Sequence, residues 1–229
     1  MEEDEFEGMI DQAEEAQETL STLIEEAENA DKDSDHGIAA ARFRAAMEMS
    51  SGNAYLRQQT ALHTYKSEQP SKVLALMEAK HILAPLNPDN SNDPETLGLS
   101  GAIHKRLWEQ TEDRAALDLA IQYYRKGYDL RGDYYNGENA ALCLKQRGIL
   151  QENAQESFYD RLSAVKIHRD IIRSLLKMVS GEDFEERSDQ EWVFATLANS
   201  LFALSRPEEA EKFPPFHSEV QHPMWVNAS

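Results

Sequence analysis

The sequence predicts an all-α protein built from antiparallel helix pairs. Ala and Leu together supply 50 of the 229 residues, whereas the β-branched residues Val and Ile supply 6 and 10. Ala and Leu favour helices, and β-branched residues favour strands. Apolar residues also recur at spacings of three and four along most of the chain, which is the period of an amphipathic helix. The length suits one elongated domain or two small ones.

Residues 1–37 are predicted to form an acidic amphipathic helix followed by a linker. Residues 1–31 hold 13 acidic residues and neither Lys nor Arg. A helical seam of apolar residues predicts a helix over 2–30 that packs on the body or on a partner, and the polar run 31–37 predicts a linker. The seam comprises Phe6, Met9, Ala13, Ala16, Leu20, Leu23, Ala27 and Ala30, widened by Ile10 and Ile24. Because half of the seam is Ala, we expect weak docking and a helix that is separable from the fold.

The helical body is predicted to cover residues 38–212, with a first pair of helices at about 53–68 and 71–84. The motif Asp93-Pro94-Glu95-Thr96 then predicts a helix start. Asp can cap the first free amide groups, and Pro suits the first helical position. This helix is expected to reach about residue 110, and Gly98 within it permits close approach of a neighbouring helix.

The next predicted helix ends near Gly132 and carries a small-aromatic-small pattern at Ala120, Tyr124 and Gly127. This spacing is typical of the second helix of a tetratricopeptide repeat, where small residues lie at the helix crossing. Further helices are predicted at about 136–147, 155–179 and 192–205. The last of these has no charged residue from Trp192 onward, so we expect it to be buried. A short helix is expected from Pro207, and the Pro-rich tail 213–229 is expected to lie along the surface through Trp225.

Five segments between residues 53 and 205 resemble a known family. The most specific are DPETLGLSGAIHKR (93–106) and RGDYYNGENAA (131–141). They resemble the bacterial tetratricopeptide-like family that is related to the TRAF-binding central region of apoptosis signal-regulating kinases. The resemblance implies an α-solenoid that is not itself catalytic and is often joined to an effector. The family usually has an apolar residue where Glu138 stands, and residues 1–52 lie outside the resemblance.

The composition excludes several classes of partner and location. A formal net charge of −19 opposes binding to nucleic acid and to anionic lipid, because both affinities depend largely on Lys and Arg. Cys143 is the one cysteine, so an internal disulfide is impossible and a reducing cytoplasm fits best. The acidic start MEEDEFEG does not resemble a signal peptide, and no apolar run is long enough for a membrane span.

The sequence offers little for catalysis or for cofactor binding. Glu78 and His81 have the helical spacing of a di-iron ligand pair, but such a site needs a second Glu-x-x-His and further Glu residues. His217 and His222 lie in the Pro-rich tail without further support for a metal. Cys143 lies in a helical segment where packing explains it better than nucleophilic use. We therefore expect no catalytic, cofactor or metal site, with a carboxylate-metal enzyme at Glu78 and His81 as the least favoured alternative.

Partner binding is assigned to a segment rich in Tyr and Arg. One interpretation places Arg131, Asp133, Tyr134 and Tyr135 on a loop that binds a protein partner, because Tyr and Arg dominate binding hot spots. The candidate partner-binding residues are Lys105, Arg106, Arg131, Asp133, Tyr134 and Tyr135. The other interpretation is structural, with Tyr124 and Tyr128 in the core, Asn136 and Gly137 at a turn or cap, and Asn139 hydrogen-bonded to backbone between helices. The predicted structural residues are Asp93, Gly98, Ala120, Tyr124, Gly127, Asn136, Asn139 and Trp192.

The sequence thus predicts a non-catalytic scaffold or regulatory subunit that couples the binding of a protein partner to an effector, with bacterial signalling or defence as the setting that the resemblance implies. A solenoid presents an extended surface, which suits binding. The alternative is an oligomerisation or autoinhibitory module whose acidic N-terminal helix competes internally for the groove. Formation of a homo-oligomer remains an alternative. We expect the chain to bind no cofactor, no nucleic acid and no membrane.

Overall fold

The computed structural model describes residues 2–206, with side chains from Glu15 onward. The described chain contains nine α-helices joined by short connections and has no strand. The helices are α1 Glu2–Lys32, α2 His36–Met49, α3 Ala54–Ser67, α4 Lys72–Leu83, α5 Pro94–Thr111, α6 Arg114–Arg131, α7 Tyr134–Leu150, α8 Ala154–Val179 and α9 Gln190–Ala203. Short 3-10 helices follow α4 at Ala84–Leu86 and α8 at Glu182–Glu186. The chain divides after Ala116 into two compact units. The predicted all-α class is confirmed.

In the first unit, consecutive helices pack on one another from α1 to α5. A small core unites α1, α2 and α3 through Ala27, Phe43, Ala46 and Leu56. Leu20, Leu23, Ile24 and Met47 pack around this core and are themselves partly buried. The second half of the acidic helix therefore docks on its own chain. This packing favours an integral first helix over an internal competitor for a groove.

The predicted linker over 31–37 is wrong, because α1 continues to Lys32 and α2 begins at His36. Only three residues connect the two helices. Ser34 adopts a left-handed backbone conformation with φ of 62°, and the Asp35 carboxylate caps α2 by accepting a hydrogen bond from the Ile38 amide at 3.1 Å. The sequence analysis assigned no helix to 38–52, where α2 buries Ala39, Ala40, Phe43 and Ala46. The predicted seam residues Phe6, Met9, Ile10 and Ala13 lie outside the residues whose side chains are described.

The predicted start of α5 at Asp93 is confirmed. The Asp93 carboxylate accepts hydrogen bonds from the Thr96 amide at 2.9 Å and from the Thr96 hydroxyl at 2.7 Å. Gln58 of α3 donates to the same oxygen at 2.6 Å, so the cap also ties α5 to α3. Pro94 occupies the first turn, and Gly98 is buried within the helix.

In the second unit, α6 and α7 approach closely at Gly127. A Cβ atom there would lie 2.7 Å from Asn136 Nδ2, so only glycine fits. Ala120 and Tyr124 are completely buried in α6. Asn136 is also completely buried, at the start of α7. Gly127 therefore lies at a helix crossing, as its spacing predicted.

The last described helix, α9, is buried on one face only. Val193, Leu197 and Leu201 are buried, and Trp192 is half-buried. Phe202 is 54% exposed, so the expectation of burial over the whole uncharged run is wrong. The uncharged sequence from Trp192 onward showed that neither face of this part of α9 carries charge. It could not show whether another helix covers the outer face. The predicted helix from Pro207 and the tail with His217, His222 and Trp225 lie outside the described residues.

Candidate functional site

A cavity of about 280 Å³ opens in the first unit between the end of α3, the start of α4 and the end of α5. Its wall includes the cationic side chains of Lys66, Lys72 and Arg106. The remaining lining residues are His36, Tyr65, Glu68, Leu76, Glu109 and Gln110. The three cationic side chains outnumber the two acidic ones, Glu68 and Glu109, so the lining is weakly cationic in a chain of net charge −19.

Arg106 and Lys66 supply most of the positive character of the cavity. The Arg106 guanidinium lies 4.9 Å from the centre of the Tyr65 ring, in a cation–π contact that fixes its position. Burial lowers the pKa of Lys66 below its usual value, and the positive charge of Arg106 lowers it further, against the opposing effect of Asp31. Lys72 is less available, because its ammonium group forms an ion pair with Glu68 at 3.0 Å. An anionic group that enters the cavity would relieve the repulsion between Lys66 and Arg106.

A histidine cluster forms the inner side of the same region. The Nδ1 atoms of His36 and His63 lie 3.3 Å apart, and Asp31 Oδ1 lies 3.6 Å from each of them. The His63 ring is 1% exposed and stacks on Phe43 with 5.3 Å between ring centres. Burial, with smaller effects of Lys66 and His36, lowers the pKa of His63 to about 3. Burial and Lys66 also lower the pKa of His36, although Asp31 and Asp35 oppose this. His63 is therefore neutral at neutral pH.

This cluster could not be predicted from the sequence, because His63 lies 27 residues after His36, although Asp31 lies only five residues before His36. His36 and His63 are separated by a whole helix, and no local motif relates them to Asp31. Their shared position becomes visible only once α1, α2 and α3 are known to pack around one core. A helix assignment for 38–52 would have placed His36 at a helix start, which is the one available signal.

The six predicted partner-binding residues fall in different settings. Arg106 lines the cavity, and Lys105 is half-buried beside it in α5. Arg131 is exposed at the last residue of α6 in the second unit. The predicted loop over Arg131–Tyr135 is wrong, because α7 already begins at Tyr134. The physical reason is the Asp133 cap described next.

Asp133 caps α7 and is therefore occupied locally. Its carboxylate accepts hydrogen bonds from the Tyr135 and Asn136 amides at 3.2 and 3.0 Å, and from Asn136 Nδ2 at 2.6 Å. Burial raises the pKa of Asp133, although these hydrogen bonds oppose the rise. The Tyr135 ring packs edge-on against Tyr124 with 6.2 Å between centres. Asn139 donates to the Tyr135 carbonyl at 3.0 Å within the same helix.

Tyr134 belongs to a second local network. Its hydroxyl donates to Asp189 Oδ2 at 2.8 Å, and Arg187 donates to both oxygens of Asp189 at 2.8 and 2.7 Å. Burial alone would raise the pKa of Asp189, but the bonds from Arg187 and Tyr134 lower it below its usual value. The Tyr134 and Asp189 side chains thus join the start of α7 to the start of α9.

The residues considered for chemistry have structural partners. Glu78 accepts from Arg44 at 2.6 Å, and Cys143 is buried with 1% exposure. Among the described residues, the group of three potential metal ligands is Asp31, His36 and His63, and neither Glu78 nor His81 belongs to it. Over the same part of the chain, no helix is long and apolar enough to cross a membrane.

The family of the chain is identified by a match to a family model that covers more than half of the chain. A model of the family described as Tetratricopeptide Repeats-Sensor matches residues 5–144. The chain belongs to this family. The match begins within α1, includes the cavity and ends within α7. The expectation that residues 1–52 lie outside the shared region is therefore wrong. No solved structure matches the chain.

One curated relative extends the comparison to a kinase. Mitogen-activated protein kinase kinase kinase 15 of Mus musculus is 35% identical over 65 residues, which are 28% of this chain and 5% of the kinase. The chain thus corresponds to a small part of that protein. The narrower relation to apoptosis signal-regulating kinases stays a prediction.

Glu138 stands at a position where an apolar residue is expected. The second unit provides hydrogen-bond donors for its carboxylate. Thr196 Oγ1 donates to one carboxylate oxygen at 2.9 Å, and Asn199 Nδ2 donates to the other at 2.8 Å. The carboxylate therefore links α7 to α9 by polar contacts.

Proposed function

We propose that the chain is a non-catalytic sensor module that binds a protein partner through the cavity of the first unit and passes the bound state to an effector. The observation that carries this proposal is the clustering of Lys66, Lys72 and Arg106 around one cavity in a strongly acidic chain. Membership of the Tetratricopeptide Repeats-Sensor family supports a role in interaction or sensing.

The size of the cavity favours a side chain as its occupant. A volume of about 280 Å³ lies below the range of roughly 300–1,000 Å³ that is usual for drug-sized ligands. One or two acidic side chains of a partner would fill it. Arg106 and Lys66 would then pair with a carboxylate in a partly buried setting, where charge-assisted hydrogen bonds are strong.

The net charge of the chain restricts the rest of the partner surface. A uniformly acidic partner would be repelled at long range by a chain of charge −19. We therefore expect an acidic side chain on an otherwise neutral or basic surface. Lys105 remains a proposed further contact in the first unit, and exposed Arg131 a separate proposed contact in the second unit. Local partners account for Asp133 and for the hydroxyl group of Tyr134.

The test is capture of partners from the host by the immobilised full chain, with identification by mass spectrometry. The double variant Lys66→Gln/Lys72→Gln should lose a specific partner while its thermal stability stays close to that of the original protein. Lys80→Gln is the matched control, because Lys80 is exposed on α4 and does not line the cavity. Equal capture by all three proteins would overturn the assignment of the cavity.

Self-association is a second candidate function, favoured by exposed apolar side chains where α7 meets α8. Phe158 is 67% exposed, Ile149 is 55% exposed, and Leu162 lies one turn after Phe158 on α8. Apolar groups of this size at one end of a helix hairpin are typical of an interface. Analytical ultracentrifugation should show a concentration-dependent oligomer that Phe158→Ser abolishes. A monomer at every concentration would exclude this candidate.

A further inference from the structure

The atoms of the histidine cluster in the first unit have the spacing of ligands around one metal ion. The distances of 3.3, 3.6 and 3.6 Å between His36 Nδ1, His63 Nδ1 and Asp31 Oδ1 define a triangle whose circumscribed circle has a radius of about 2.0 Å. An ion about 0.5 Å out of the plane of these atoms would lie about 2.1 Å from all three. Bonds from zinc to imidazole nitrogen and carboxylate oxygen have this length.

The spacing also discriminates between coordination geometries. With bonds of about 2.1 Å, tetrahedral ligands lie roughly 3.4 Å apart, whereas neighbouring octahedral ligands lie roughly 3.0 Å apart. The observed distances agree with the tetrahedral value. Two imidazoles and one carboxylate also suit zinc better than magnesium or calcium, which prefer oxygen donors.

We propose that Asp31, His36 and His63 form a three-ligand site for Zn²⁺, with a fourth position open to water or to a group in the neighbouring cavity. Three protein ligands and one exchangeable ligand are the usual arrangement of an open zinc site. His36 belongs to both features, since it also lines the cavity. The ion at this site ties α1, α2 and α3 together.

Direct hydrogen bonding explains the cluster less completely. A neutral imidazole carries a single N–H, so His36 and His63 can share one hydrogen bond between their Nδ1 atoms at 3.3 Å. The Asp31 oxygen is 3.6 Å from both nitrogens, which is too long for a good hydrogen bond to either. A single cation among the three atoms accounts for their common approach.

The packing holds two of the three donors in place. His63 is 1% exposed in the middle of α3, and its ring is nearly parallel to Phe43, at an interplanar angle of 15°. His36 is the first residue of α2, directly after the capping residue Asp35. The nearby charge of Lys66 opposes a cation at this place, and the carboxylates of Asp31 and Asp35 offset it. The site therefore has donors, geometry and charge compensation within one compact unit.

This inference does not rest on the proposed function, because the metal site is complete without any partner. The test uses untagged full-length protein that has been washed with a chelator and then titrated with Zn²⁺ alone. Elemental analysis after desalting should give one zinc per chain, and zinc should raise the melting temperature. Replacement by Co²⁺ should give the intense visible absorption of a tetrahedral site.

The variants Asp31→Asn and His36→Gln should each weaken zinc binding by at least about tenfold. Both residues are at least partly exposed, so these variants should fold. Glu78→Gln and His81→Gln are the matched controls, because they remove candidate ligands outside the cluster, and they should bind zinc as the original protein does. X-ray absorption of the zinc-loaded original protein should show only nitrogen and oxygen donors at about 2.0–2.1 Å.

Three results would each overturn the proposal. One is the absence of stoichiometric zinc in the original protein. Another is unchanged zinc affinity in both cluster variants. The third is a sulfur donor, which would place the ion at Cys143. If one cluster variant fails to fold, the other is compared with the controls, and the absorption spectrum of the original protein still distinguishes nitrogen and oxygen donors from sulfur.

Discussion

The two compact units each contain a prominent group of polar side chains, and the two groups differ in how their members are paired. In the first unit, His36 and Lys66 line a cavity, and His36 also belongs to the cluster with Asp31 and His63. In the second unit, the buried Asp160 is paired with Arg147 by two bonds of 2.8 Å. A binding region needs polar groups that gain from a ligand, whereas a packed region needs polar groups that already satisfy one another. Under the proposed function, the first unit binds the partner and the second unit supports the fold, and the family match covers the second unit only as far as residue 144.

The comparison also changes how the Tyr-rich segment is interpreted. Asp133 caps a helix, and Tyr134 and Asp189 bond to each other. By composition, these residues resemble a binding hot spot. In the structure, their side chains form hydrogen bonds within the second unit. Of the six candidate partner-binding residues, Arg106 is the one that lines the cavity of the first unit.

The largest effect is expected from removing the buried ion pair of the second unit. Asp160→Ala should lower the free energy of unfolding by about 3 kcal/mol, because Arg147 loses two charge-assisted hydrogen bonds and keeps only its pair with the more exposed Asp118. Asp170→Ala on the same helix is the control, since the Asp170–Arg173 pair is exposed and should contribute only about 0–1 kcal/mol. Urea unfolding measures both. If both variants lost the same free energy of unfolding, burial of the Asp160–Arg147 pair would not stabilise the second unit more than an exposed pair does.

The pH dependence of stability should come next in size. Burial, with a smaller effect of Lys145, lowers the pKa of His168 to about 4. Between this value and about 6.5, the unfolded chain binds a proton that the folded chain does not, so stability must fall as the pH falls through that window. His168 alone should cost about 2 kcal/mol at pH 5 relative to neutral pH.

His168→Gln removes this titration, so its stability should depend less on pH between 7 and 5. His63 has the same direction of shift and leaves part of the slope in place. Urea unfolding in the presence of a chelator measures the slopes. Identical slopes for both proteins would contradict the placement of His168 against Ser200, whose hydroxyl lies 3.1 Å from His168 Nδ1.

Gly127→Ala should destabilise the second unit by about 1–2 kcal/mol. The added Cβ would lie 2.8 Å from Asn136 Cγ, and Asn136 is completely buried and bonded to Asp133. This overpacking exceeds the roughly 1 kcal/mol that Ala gains over Gly in a helix. Gly52→Ala is the control, because no atom lies within 4 Å of the added group. If Gly127→Ala is as stable as Gly52→Ala, Gly127 does not lie at a tightly packed helix crossing.

The smallest effect is expected at Tyr134. Tyr134→Phe should cost about 1 kcal/mol, because Asp189 keeps its two bonds from Arg187. Partner capture should not change. Tyr159→Phe provides the control, since Tyr159 is 59% exposed. If Tyr134→Phe lost partner capture without losing stability, Tyr134 would instead belong to the binding surface.

Local signals in the sequence predicted most of the fold. Asp93 and Pro94 marked a helix start, and Gly127 marked a crossing, because caps and close packing depend on neighbouring residues. Helix α2 was missed, since its Ala-rich pattern is weak without the Phe43 core. The binding region could not be predicted as a unit. Asp31, His36 and His63 come from three helices, so their proximity depends on tertiary packing alone.

The most direct test of the account is hydrogen exchange of backbone amides with and without the captured partner. We expect partner-dependent protection in the first unit at residues 65–72 and 104–110, which carry Lys66, Lys72 and Arg106. The start of α7 at residues 133–139 should keep its exchange rates, because its polar groups serve the fold. Protection confined to 131–139, with no change around the cavity, would contradict the division between a binding unit and a scaffolding unit.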